Sequence, residues 1–434
     1  MPAPELFQIP PDWQVARLED VALSHKGAIK IGPFGSQLKK SDMTSSGFKV
    51  YGQENVFSDD FTLGDRFITR DKFESLQTCE LFEGDIVLTM MGTVGAASIV
   101  PKGIHRGVMD SHLLRIRPNG RKIVDGFLRI LLRDSPVTKR QVERMSQGGI
   151  MSGLNAGIVR TLELPLPPLP EQKKIAAILS SVDEAIQATQ LVIDQTRRVK
   201  EGLLQDLLTH GLPGHTRFKQ TEIGEIPEGW EVATGRELAG KGDLVGGPFG
   251  SDLGAADYVQ VGVPVIRGGN VGLGKFIESD FVYVSPDKAR LLRRNSAQRG
   301  DLIMTQRGAS LGEATLIPDG TMFDSYVISQ TMMRLRPNSQ VVDPLFLIQS
   351  ICSDRAQSWL KSRAIGNAQP HLNLSIWQDM PVAIPPKKEQ IQIASIVASL
   401  DDEMAASGKE VAALTSLKSG LLADLLTGKV RVTP

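Results

Sequence analysis

The stretch PLPPLPEQKKIAAILSSVDEAI, from Pro165 to Ile186, marks a change from short apolar segments to a long helix. Its prolines cannot continue an upstream helix, whereas Pro170 suits a first helical turn and Glu171 suits the positive end of the helix dipole. The amphipathic pattern then runs on to Leu208. The same change recurs near the end of the chain, where PPKKEQIQIASIVASLDDEM begins at Pro385. The sequence therefore predicts two long helices, each preceded by its own globular segment.

Apolar and small residues recur at alternating spacings of three and four along both predicted helices, which is typical of a coiled-coil seam. Lys200 and Lys418 interrupt the two patterns at the same place. We expect the two helices to pack on each other as an antiparallel pair; the alternative is that each helix packs on its own globular segment. The matched lysines either set the register of the pair or lie at its solvated rim. The predicted seam consists of Ile175, Leu179, Val182, Ile186, Ile193, Leu203 and Leu207 in the first helix and of Ile393, Val397, Leu400, Met404, Val411, Leu414, Leu421 and Leu425 in the second.

Five motifs occur twice in the same order along the 434 residues. GPFGS begins at 32 and again at 247, and the RxRPN strand begins at 113 and again at 332, so the separation stays between 215 and 219 residues. A period this long, far above the roughly 20 to 50 residues of solenoid repeats, makes each copy a domain. The five pairs are IPPDW (Ile9) with IPEGW (Ile226), GPFGS (Gly32, Gly247), GDIVLT (Gly84) with GDLIMT (Gly300), LLRIRPN (Leu113) with MMRLRPN (Met332), and GLLQDLL (Gly202) with GLLADLL (Gly420).

Between the helices, short apolar segments bounded by glycine predict strands, and each globular segment ends in a predicted helix. We therefore expect an α+β fold with a pseudo-twofold internal repeat. Two tandem α/β modules are expected at residues 1–166 and 220–384, with helical segments at 167–219 and 385–434. The predicted strands begin at Phe48, Asp85, Ala97, Leu113, Val263, Phe281, Leu302 and Met333, and the predicted helices span Val124 to Arg133 and Pro344 to Cys352.

The composition excludes several classes of protein. Lysine plus arginine equals aspartate plus glutamate at 49 each, so the chain does not bind nucleic acid by bulk charge alone. Two separated cysteines, Cys79 and Cys352, and six scattered histidines predict neither a disulfide framework nor a metal site. No apolar run reaches the roughly 20 residues that cross a bilayer. Since MPAPELFQIPPDW also lacks the features of a signal peptide, we expect a cytoplasmic protein.

The motifs of the enzymes that act on DNA are missing from the sequence. A methyltransferase needs an Asn/Asp-Pro-Pro-aromatic motif that holds a flipped adenine, and the nearest tripeptide, Asn338-Ser339-Gln340, does not match it. Pro286-Asp287-Lys288 lacks the spaced Glu-x-Lys of a metal-dependent nuclease, and no GxxxxGK[ST] loop is available for ATP. We therefore expect no catalytic residue in this chain.

The order of the motifs resembles that of one family. GPFGS is followed by GD[IL]xxTxxG, then by RxRPN, then by a proline-rich turn and Glu-Gln at the start of a long helix, all present twice. Together they resemble the specificity subunit of type I restriction-modification systems, from Phe7 to Val432. The stretch PLPPLPEQKKIA at Pro165 is the most distinctive part, and the second copy departs from it only in PPKKEQ at Pro385.

The resemblance implies two target recognition domains, each of which reads one half of a bipartite DNA site with a nonspecific gap. Residues 1–166 would read one half-site and residues 220–384 the other, while the two helices set the spacing and dock two modification subunits. Those subunits would bind S-adenosylmethionine and methylate adenine, and separate restriction subunits would use ATP and Mg to translocate and cut double-stranded DNA. No cofactor is implied for this chain. A related arrangement, in which one partner polypeptide both cuts and methylates, is not excluded by the sequence.

The polar loops that follow the shared motifs differ between the two copies. Asp110-Ser111-His112, for example, stands where the second copy has Ser329-Gln330-Thr331. Such side chains hydrogen-bond base edges, so we expect the loops to read different sequences; the alternative is that they are drifted surface loops. The residues predicted to contact DNA, from residue type and loop position, are Lys30, Gln37, Lys39, Lys40, His105, Arg106, Ser111 and His112 in the first copy and Ser251, Gln306, Arg307, Gln330, Asn367, Gln369 and His371 in the second. Two further pairs of loops differ: Met90 to Gly92 against Gln306 to Gly308, and Gln147 to Ser152 against Arg363 to His371.

A second function is compatible with the repeat alone. A duplicated coiled-coil scaffold without DNA specificity would also carry two matched helices. It would give no reason for shared strands to carry different polar loops, so we expect the DNA-reading function.

Overall fold

The computed structural model describes residues 9–90, 95–146, 155–366 and 369–432. The chain forms two compact units. Unit 1 comprises residues 1–191 and 408–434, and unit 2 comprises residues 192–407. Each unit therefore holds one globular module together with a part of each long helix.

The elements alternate along the chain as the repeat predicts. In the first half, the strands are β1 (Gln14–Arg17), β2 (Ile29–Ile31), β3 (Phe48–Tyr51), β4 (Phe67–Ile68), β5 (Ile86–Thr89), β6 (Ala97–Ile99), β7 (Gly107–Met109), β8 (Leu113–Ile116) and β9 (Glu163–Leu166). The helices of that half are α1 (Leu18–Val21), α2 (Gln53–Ser58), α3 (Arg70–Ser75), α4 (Asp125–Arg133), α5 (Pro136–Ser146), α6 (Ala156–Thr161) and α7 (Leu169–His210).

The second half repeats this order with added hairpins. Its strands are β10 (Phe218–Thr221), β11 (Gly224–Pro227), β12 (Glu231–Thr234), β13 (Ala239–Gly246), β14 (Tyr258–Val259), β15 (Val263–Ile266), β16 (Val271–Gly272), β17 (Lys275–Phe276), β18 (Val282–Val284), β19 (Ser296–Ala297), β20 (Leu302–Thr305), β21 (Ala314–Leu316), β22 (Tyr326–Ile328), β23 (Met332–Pro337) and β24 (Pro381–Ile384). Its helices are α8 (Gly235–Leu238), α9 (Pro286–Leu291), α10 (Pro344–Cys352), α11 (Asp354–Arg363), α12 (Leu374–Gln378) and α13 (Lys387–Leu425). The α+β fold is confirmed, and so are the predicted strands and helices.

The module of unit 1 (module 1, from β1 to β9) contains two sheets. An antiparallel sheet has the order β2-β8-β5-β6, and a second sheet has the order β4-β3-β7, in which β3 and β7 are parallel. Alternate residues of β5 face different cores: Ile86 and Leu88 contact the core that includes α4 and α7, whereas Val87 contacts the core of the second sheet. Burial on both faces explains why IVLT is a continuous apolar run.

The module of unit 2 (module 2, from β12 to β24) repeats this plan. Its four-stranded sheet, β13-β23-β20-β21, corresponds strand by strand to that of module 1. The second sheet is larger, with the order β14-β18-β15-β22-β19, and it keeps the parallel pair in β15 and β22. An antiparallel pair joins the two ends of each module, β1 with β9 and β12 with β24. The repeat is therefore a repeat of topology.

The GD and RxRPN motifs are internal braces of the four-stranded sheets. Asp85 accepts a hydrogen bond of 3.1 Å from Nε of Arg117, and Asp301 accepts one of 2.8 Å from Nε of Arg336. The first arginine of the motif is buried and binds backbone carbonyls; Arg115, 1% exposed, donates to the carbonyl of Glu80 at 2.6 Å. These shared polar residues hold the scaffold together.

The repeated Glu-Gln pair fixes the start of each long helix. The Gln172 side chain accepts from the N–H at the start of α4 (2.9 Å) and donates to the carbonyl of Pro167 (2.9 Å). Gln390 makes the equivalent bonds to the start of α10 (2.7 Å) and to Pro385 (2.9 Å). Both amides are buried, so replacing either would leave buried backbone groups without partners.

Glu171 is the centre of a helix-start clasp in unit 1, defined as Trp13, Glu171 and Arg431. The buried carboxylate accepts from the Trp13 indole at 3.2 Å and from Arg431 at 2.8 and 2.9 Å. Arg431 also binds Asp12. The clasp joins the IPPDW motif, the start of α7 and the segment after α13.

Unit 2 contains the equivalent clasp, defined as Trp230, Glu389 and His215. Glu389 accepts from the Trp230 indole at 3.2 Å, from the N–H of Leu212 at 3.0 Å and lies 2.8 Å from Nε2 of His215. The carboxylate and the tryptophan are the same in both clasps. A histidine therefore occupies the place that an arginine occupies in unit 1.

The long helices pair antiparallel, as the heptad pattern predicts. In unit 1, Lys418 of α13 lies 2.7 Å from Asp183 of α7 and 3.3 Å from Asp134, which follows α4. In unit 2, Lys200 of α7 lies 2.5 Å from Asp401 of α13. Each seam lysine is thus paired with the equivalent aspartate of the opposite helix. These ion pairs favour the register-setting role over a solvated rim.

The ends of the helices belong to the globular cores. Ile175 and Leu179 of α7 lie in the core of unit 1 with Leu425 of α13, and Leu207 lies in the core of unit 2 with Ile393. All positions of the predicted seam are buried or half-buried. Each long helix therefore packs on the other helix along one part of its length and on a globular module along another part.

Glycines end both helical segments where the backbone must turn. Gly211, directly after α7, has a φ of 76°, which is typical of the residue after a helix, and Gly428, in the turn that follows α13, has a φ of 71°. A Cβ on Gly428 would lie 2.4 Å from Pro10 and 3.3 Å from Trp13. The segment after α13 can therefore approach the clasp only with glycine at this position.

Candidate nucleic-acid interface

The loops with the candidate residues leave one edge of each four-stranded sheet. In module 1, β2 and β5 end where β8 begins, since Ile31 pairs with Leu114 and Thr89 pairs with Leu113. β7 ends at the same edge, because only three residues connect it to β8. Module 2 has the same arrangement. The ends of β13, β20 and β22 lie next to the start of β23. We call this edge the loop face, which comprises residues 32–37, 90 and 110–112 in module 1 and residues 247–253, 306–307, 329–331, 365–366 and 369–371 in module 2.

Gly32 and Asp110 hold the module 1 loop face together. A Cβ on Gly32 would lie 1.7 Å from the carbonyl oxygen of Asp110, so no other residue fits there. The Asp110 carboxylate accepts from the N–H of His112 at 3.0 Å and from Arg66 at 3.1 Å. Burial lowers the pKa of Arg66, but the charges of Asp110 and Glu54 outweigh it and leave that pKa above its ordinary value. Arg66 therefore remains a cation that neutralises Asp110 and leaves the His112 ring exposed.

Gln37 has a structural contact as well as an exposed position. Its side-chain oxygen accepts from the N–H of Phe34 at 3.2 Å, within a 3₁₀ turn that spans Gly35–Gln37. Lys39 and Lys40 follow this turn and are exposed. Two cations thus lie directly after the module 1 loop face in the chain.

In module 2, the loop Ser329-Gln330-Thr331 is hydrogen-bonded to the GPFGS loop. Gln330 donates from its side-chain amide to the carbonyl oxygens of Gly250 and Leu253, at 2.7 and 2.5 Å. The hydroxyls of Ser329 and Thr331 lie 3.1 Å apart. The loop that carries Asp110 in module 1 is therefore built differently here, with hydroxyls and an amide in place of a carboxylate and an imidazole.

Backbone hydrogen bonds join the remaining loops of the module 2 loop face. Gln306 donates from its N–H to the carbonyl of Thr331 at 2.7 Å and accepts from the N–H of Leu372 at 3.0 Å. Arg307 and His371 form an isolated β-bridge. The structure therefore brings Gln306, Arg307, Gln330, Gln369 and His371 to one face, with Arg307, Gln330 and Gln369 exposed.

Three candidates of module 1 lie elsewhere. Lys30 donates to the hydroxyl of Thr78 at 2.7 Å, and Arg106 donates to Glu80 at 2.6 Å, so both contact the same turn. His105 and Arg106 precede β7, whereas the loop face follows it. The structure does not bring Lys30, His105 and Arg106 to the loop face, and their contact with DNA stays a prediction.

Several predicted positions lie outside the described residues. These are Asn367, the segment Gln147 to Ser152 and the Met91-Gly92 part of the first-copy loop. Ser251 lies in the 3₁₀ turn Gly250–Asp252, but its side chain is likewise outside the description.

Two exposed aromatic side chains were not among the candidates. Phe34 and Phe249, the central residues of the two GPFGS motifs, are 61% and 87% exposed. The identical GPFGS motif in both copies is the sequence feature that points to these two rings. They add a shared apolar contact to each polar loop face.

Other kinds of site are missing from the described part of the chain. Among residues 9–90, 95–146, 155–366 and 369–432, no group of three or more His, Cys, Asp or Glu side chains is placed to hold a metal ion. Within the same residues, none of the helices combines the length and the apolar character that a membrane span requires.

Comparison with known families gives one match over most of the chain. Residues 10–195 and 279–415 match the model described as type I restriction modification DNA specificity domain. The type I restriction enzyme MjaVIII specificity subunit of Methanocaldococcus jannaschii is 25% identical over 431 residues, which are 98% of this chain and 95% of that protein.

Solved structures agree on the fold. The S subunit of a type I restriction-modification system from M. genitalium has a TM-score of 0.57 at 16% identity, with 96% of both chains covered. A chain from a study of complex assembly and conformational transition of the type I R-M system has a TM-score of 0.56 at 18% identity and covers 98% of this chain. The fold with two modules and two long helices is thus shared with these proteins.

Proposed function

The chain belongs to the type I restriction-modification DNA specificity family, and from this premise we propose that its two modules read two different half-sites of one gapped DNA sequence. Within the family it is the specificity subunit, the non-catalytic member of the complex, and it has two target recognition domains. The coiled-coil scaffold without DNA specificity is therefore rejected. We propose residues 1–166 and 220–384 as the two recognition domains and residues 167–219 and 385–434 as the helical spacers.

One observation carries the proposal: two loop faces of equivalent position have different polar side chains. The module 1 loop face carries exposed Gln37 and His112 with half-buried Ser111, whereas the module 2 loop face carries exposed Gln330 and Arg307, the latter bridged to His371. The four-stranded sheets and their Asp–Arg braces beneath the two loop faces are equivalent. Amide, guanidinium and imidazole groups distinguish base pairs by their hydrogen-bonding edges in the major groove.

The neutral composition is consistent with a reader that works inside a larger complex. Phosphate contacts supply most of the affinity of a DNA-binding protein, and this chain has no excess of positive charge to supply them alone. We propose that two modification subunits dock on the paired helices and supply much of that contact, and that restriction subunits join through the complex. S-adenosylmethionine, ATP and Mg would bind those partners. A task carried out on DNA inside the cell makes the cytoplasm the proposed location.

Exchange of one recognition domain tests this function. Residues 1–166 are replaced by the equivalent residues of another family member, both long helices are retained, and the chain is expressed with its modification subunits. Genome-wide mapping of methylated adenine should then show one gapped sequence for the parent protein. The exchanged protein should keep one half of that sequence and change the other.

The matched control exchanges residues 220–384 and should change the opposite half. If either exchange left the methylated sequence unaltered, the modules would not be the readers. If both halves changed together, the assignment of one half-site to each module would be wrong.

A further inference from the structure

Phe34 and Phe249 are exposed aromatic rings in a chain whose aromatic residues are otherwise few. Only 5% of all residues are Phe, Trp or Tyr. Phe249, at 87%, is among the most exposed apolar side chains of the described residues, together with Val261 at 86%. Keeping a ring in water forgoes the stabilisation that burial would give, roughly 1.5–3 kcal/mol for a fully buried side chain. A ring held out at the same position in both modules therefore indicates a use outside the folded chain.

The two phenylalanines have nearly the same backbone conformation. Phe34 has φ −92° and ψ 148°, and Phe249 has φ −85° and ψ 145°. The preceding prolines are buried, and the following glycines, Gly35 and Gly250, have positive φ values of 53° and 45°. These flanking residues restrict the backbone on both sides, so the rings are presented by a defined turn.

The surroundings of each turn are braced by different contacts. In module 1, the side chain of Gln37 accepts from the N–H of Phe34, whereas in module 2 the amide of Gln330 donates to the carbonyls of Gly250 and Leu253. Different side chains thus support the same presentation of the ring. The presentation is the feature that the two modules share at an otherwise divergent surface.

We propose that Phe34 and Phe249 are DNA wedges, aromatic rings that stack into a base step at the edge of each half-site and contact DNA independently of its sequence. The proposal rests on the function given above, because it requires the loop faces to be the DNA-binding surfaces. Apolar side chains inserted between base pairs unstack the step and kink the duplex, which lets more of the protein surface reach the groove. Stacking on an aromatic ring tolerates any base, since every base has a π-face.

The position of the rings favours DNA over a partner protein. Each ring is flanked by small or polar exposed residues, such as Gly35, Ser36 and Gln37 beside Phe34. Protein hot spots are usually surrounded by further contacts that exclude water, whereas the residues that follow Phe34 in its turn are exposed and small or polar. A single ring among polar groups suits a base step, whose stacked interior is apolar and whose edges and phosphates are polar. A ring that is the same in two readers of different sequence suits a feature that both half-sites share, and co-purification with the modification subunits tests the alternative that both rings contact those subunits.

The test uses the complete chain in complex with its modification subunits and a duplex that carries the methylated sequence found by the mapping. Phe34→Ala and Phe249→Ala are measured singly and together, with Phe34→Trp and Phe249→Trp as variants that retain a stacking ring. Phe82→Ala and Met322→Ala serve as controls, since Phe82 (49% exposed) precedes β5 and Met322 (73% exposed) precedes β22, at the ends opposite to the loop faces.

Each alanine variant is expected to weaken binding of the duplex by roughly tenfold to a hundredfold, as the loss of one stacked contact does. The dependence of affinity on salt should be unchanged, because no phosphate contact is removed. The methylated sequence should also stay the same. Energy transfer between dyes at the two duplex ends should report a smaller bend for each alanine variant, and the tryptophan variants and controls should behave as the parent protein does.

Three results would overturn the wedge. Parent-like affinity and bend in both alanine variants would show that the rings do not contact DNA. Loss of co-purification with the modification subunits would assign the rings to a protein interface. A change of the methylated sequence would make them readers of specific bases. Failure of the underlying function is recognised separately, because the domain exchange would then leave the methylated sequence of the parent protein unaltered.

Discussion

Glu171 joins residues from three distant parts of the sequence within unit 1. The indole of Trp13, the guanidinium of Arg431 and the N–H of Val432 all donate to its buried carboxylate. The hydrogen bonds from Arg431 lower the pKa of Glu171. Burial raises this pKa but only partly offsets them, so the pKa lies below its ordinary value. The ionised carboxylate therefore stabilises the folded state, and protonation removes this contribution.

Glu171→Gln should lower the free energy of unfolding by about 1–3 kcal/mol at neutral pH, the range for hydrogen bonds to a charged group. Since the folded-state pKa is lowered, the contribution is complete above the ordinary glutamate value of about 4.3 and is lost as the pH falls through the lower folded value. Urea unfolding of both proteins between neutral and acidic pH measures this. The difference should shrink towards acid; a constant difference would contradict it, and Glu184→Gln, on an exposed face of α7, is the control.

Arg307→Ala tests the loop face at one residue. The guanidinium is exposed beside the bridge to His371, and a bidentate contact with a base pair is worth about 1–3 kcal/mol of discrimination. We expect methylation to become less selective at one half-site and to stay selective at the other. Arg236→Ala is the control, because Arg236 lies in α8 at the opposite end of β13. Relaxation of both half-sites, or of neither, would show that Arg307 does not read DNA.

Residue type and loop position predicted part of the loop face, whereas Lys30, His105 and Arg106 lie elsewhere and their contact with DNA stays a prediction. Arg307 and Gln330 follow shared strands, and His371, in the loop between α11 and α12, joins Arg307 through an isolated β-bridge. His105 and Arg106 also border a strand, but the direction of β7 puts them at its start, and that direction depends on a parallel pairing with β3 that no local pattern reveals. Phe34 is apolar, and residue type alone favours polar side chains as base contacts.

At the scale of the elements, the two seam lysines have unequal surroundings. Lys418 contacts Asp183 and Asp134, and its side chain is 15% exposed, whereas Lys200 contacts Asp401, which is 43% exposed. Lys418→Met should therefore lower the free energy of unfolding by about 1–2 kcal/mol, and Lys200→Met by less than about 1 kcal/mol. Chemical denaturation measures both. The single variant Lys200→Asp should place two aspartates together and lower stability, and the double variant Lys200→Asp with Asp401→Lys should restore it. If the double variant were no more stable than the single one, the ion pair would have no role in register.

Two glycines of the second helical segment should respond in opposite ways to alanine. Gly428→Ala forces a positive φ on alanine and a clash with Pro10 and Trp13, so stability should fall by more than about 1 kcal/mol. Gly420→Ala, inside α13 with open space around its Cα, should raise stability by about 0.5–1 kcal/mol. Thermal unfolding compares them. A loss of stability in Gly420→Ala would contradict the open surroundings of that position.

Periodicity predicted the helices and strands, but it predicted only in part which elements pack against one another. The heptads around Leu179 and Ile393 indicated two matched helices, but these apolar residues also belong to the module cores. Periodicity shows which face of a helix is buried and cannot show what buries it. The buried arginines of the RxRPN motif and the Glu-Gln pair were visible as repeats, whereas their hydrogen-bond partners, which lie far away in the sequence, required the fold.

At the scale of the whole molecule, unit 1 is built from both ends of the chain. Leu422, Leu425 and Leu426 lie in its core with Trp13 and residues of α7. Deletion of residues 420–434 should therefore destabilise unit 1 and leave unit 2 largely protected. Hydrogen exchange read by mass spectrometry should show faster exchange around β1 and the start of α7, with β20 and β23 unchanged.

Deletion of residues 433–434 alone is the control and should change neither unit. Equal loss of protection in both units after the longer deletion would show that the two units unfold as one. Protection that stayed complete in unit 1 would mean that the last turns of α13 do not stabilise its core.

The discontinuity of unit 1 also has a consequence for synthesis. A chain leaves the ribosome from its amino terminus, and domains generally fold as they emerge. Unit 2, residues 192–407, can complete its core as soon as it has been made, whereas unit 1 must wait for Leu425 and Arg431. The first of the two modules to be translated is therefore the last to complete its core.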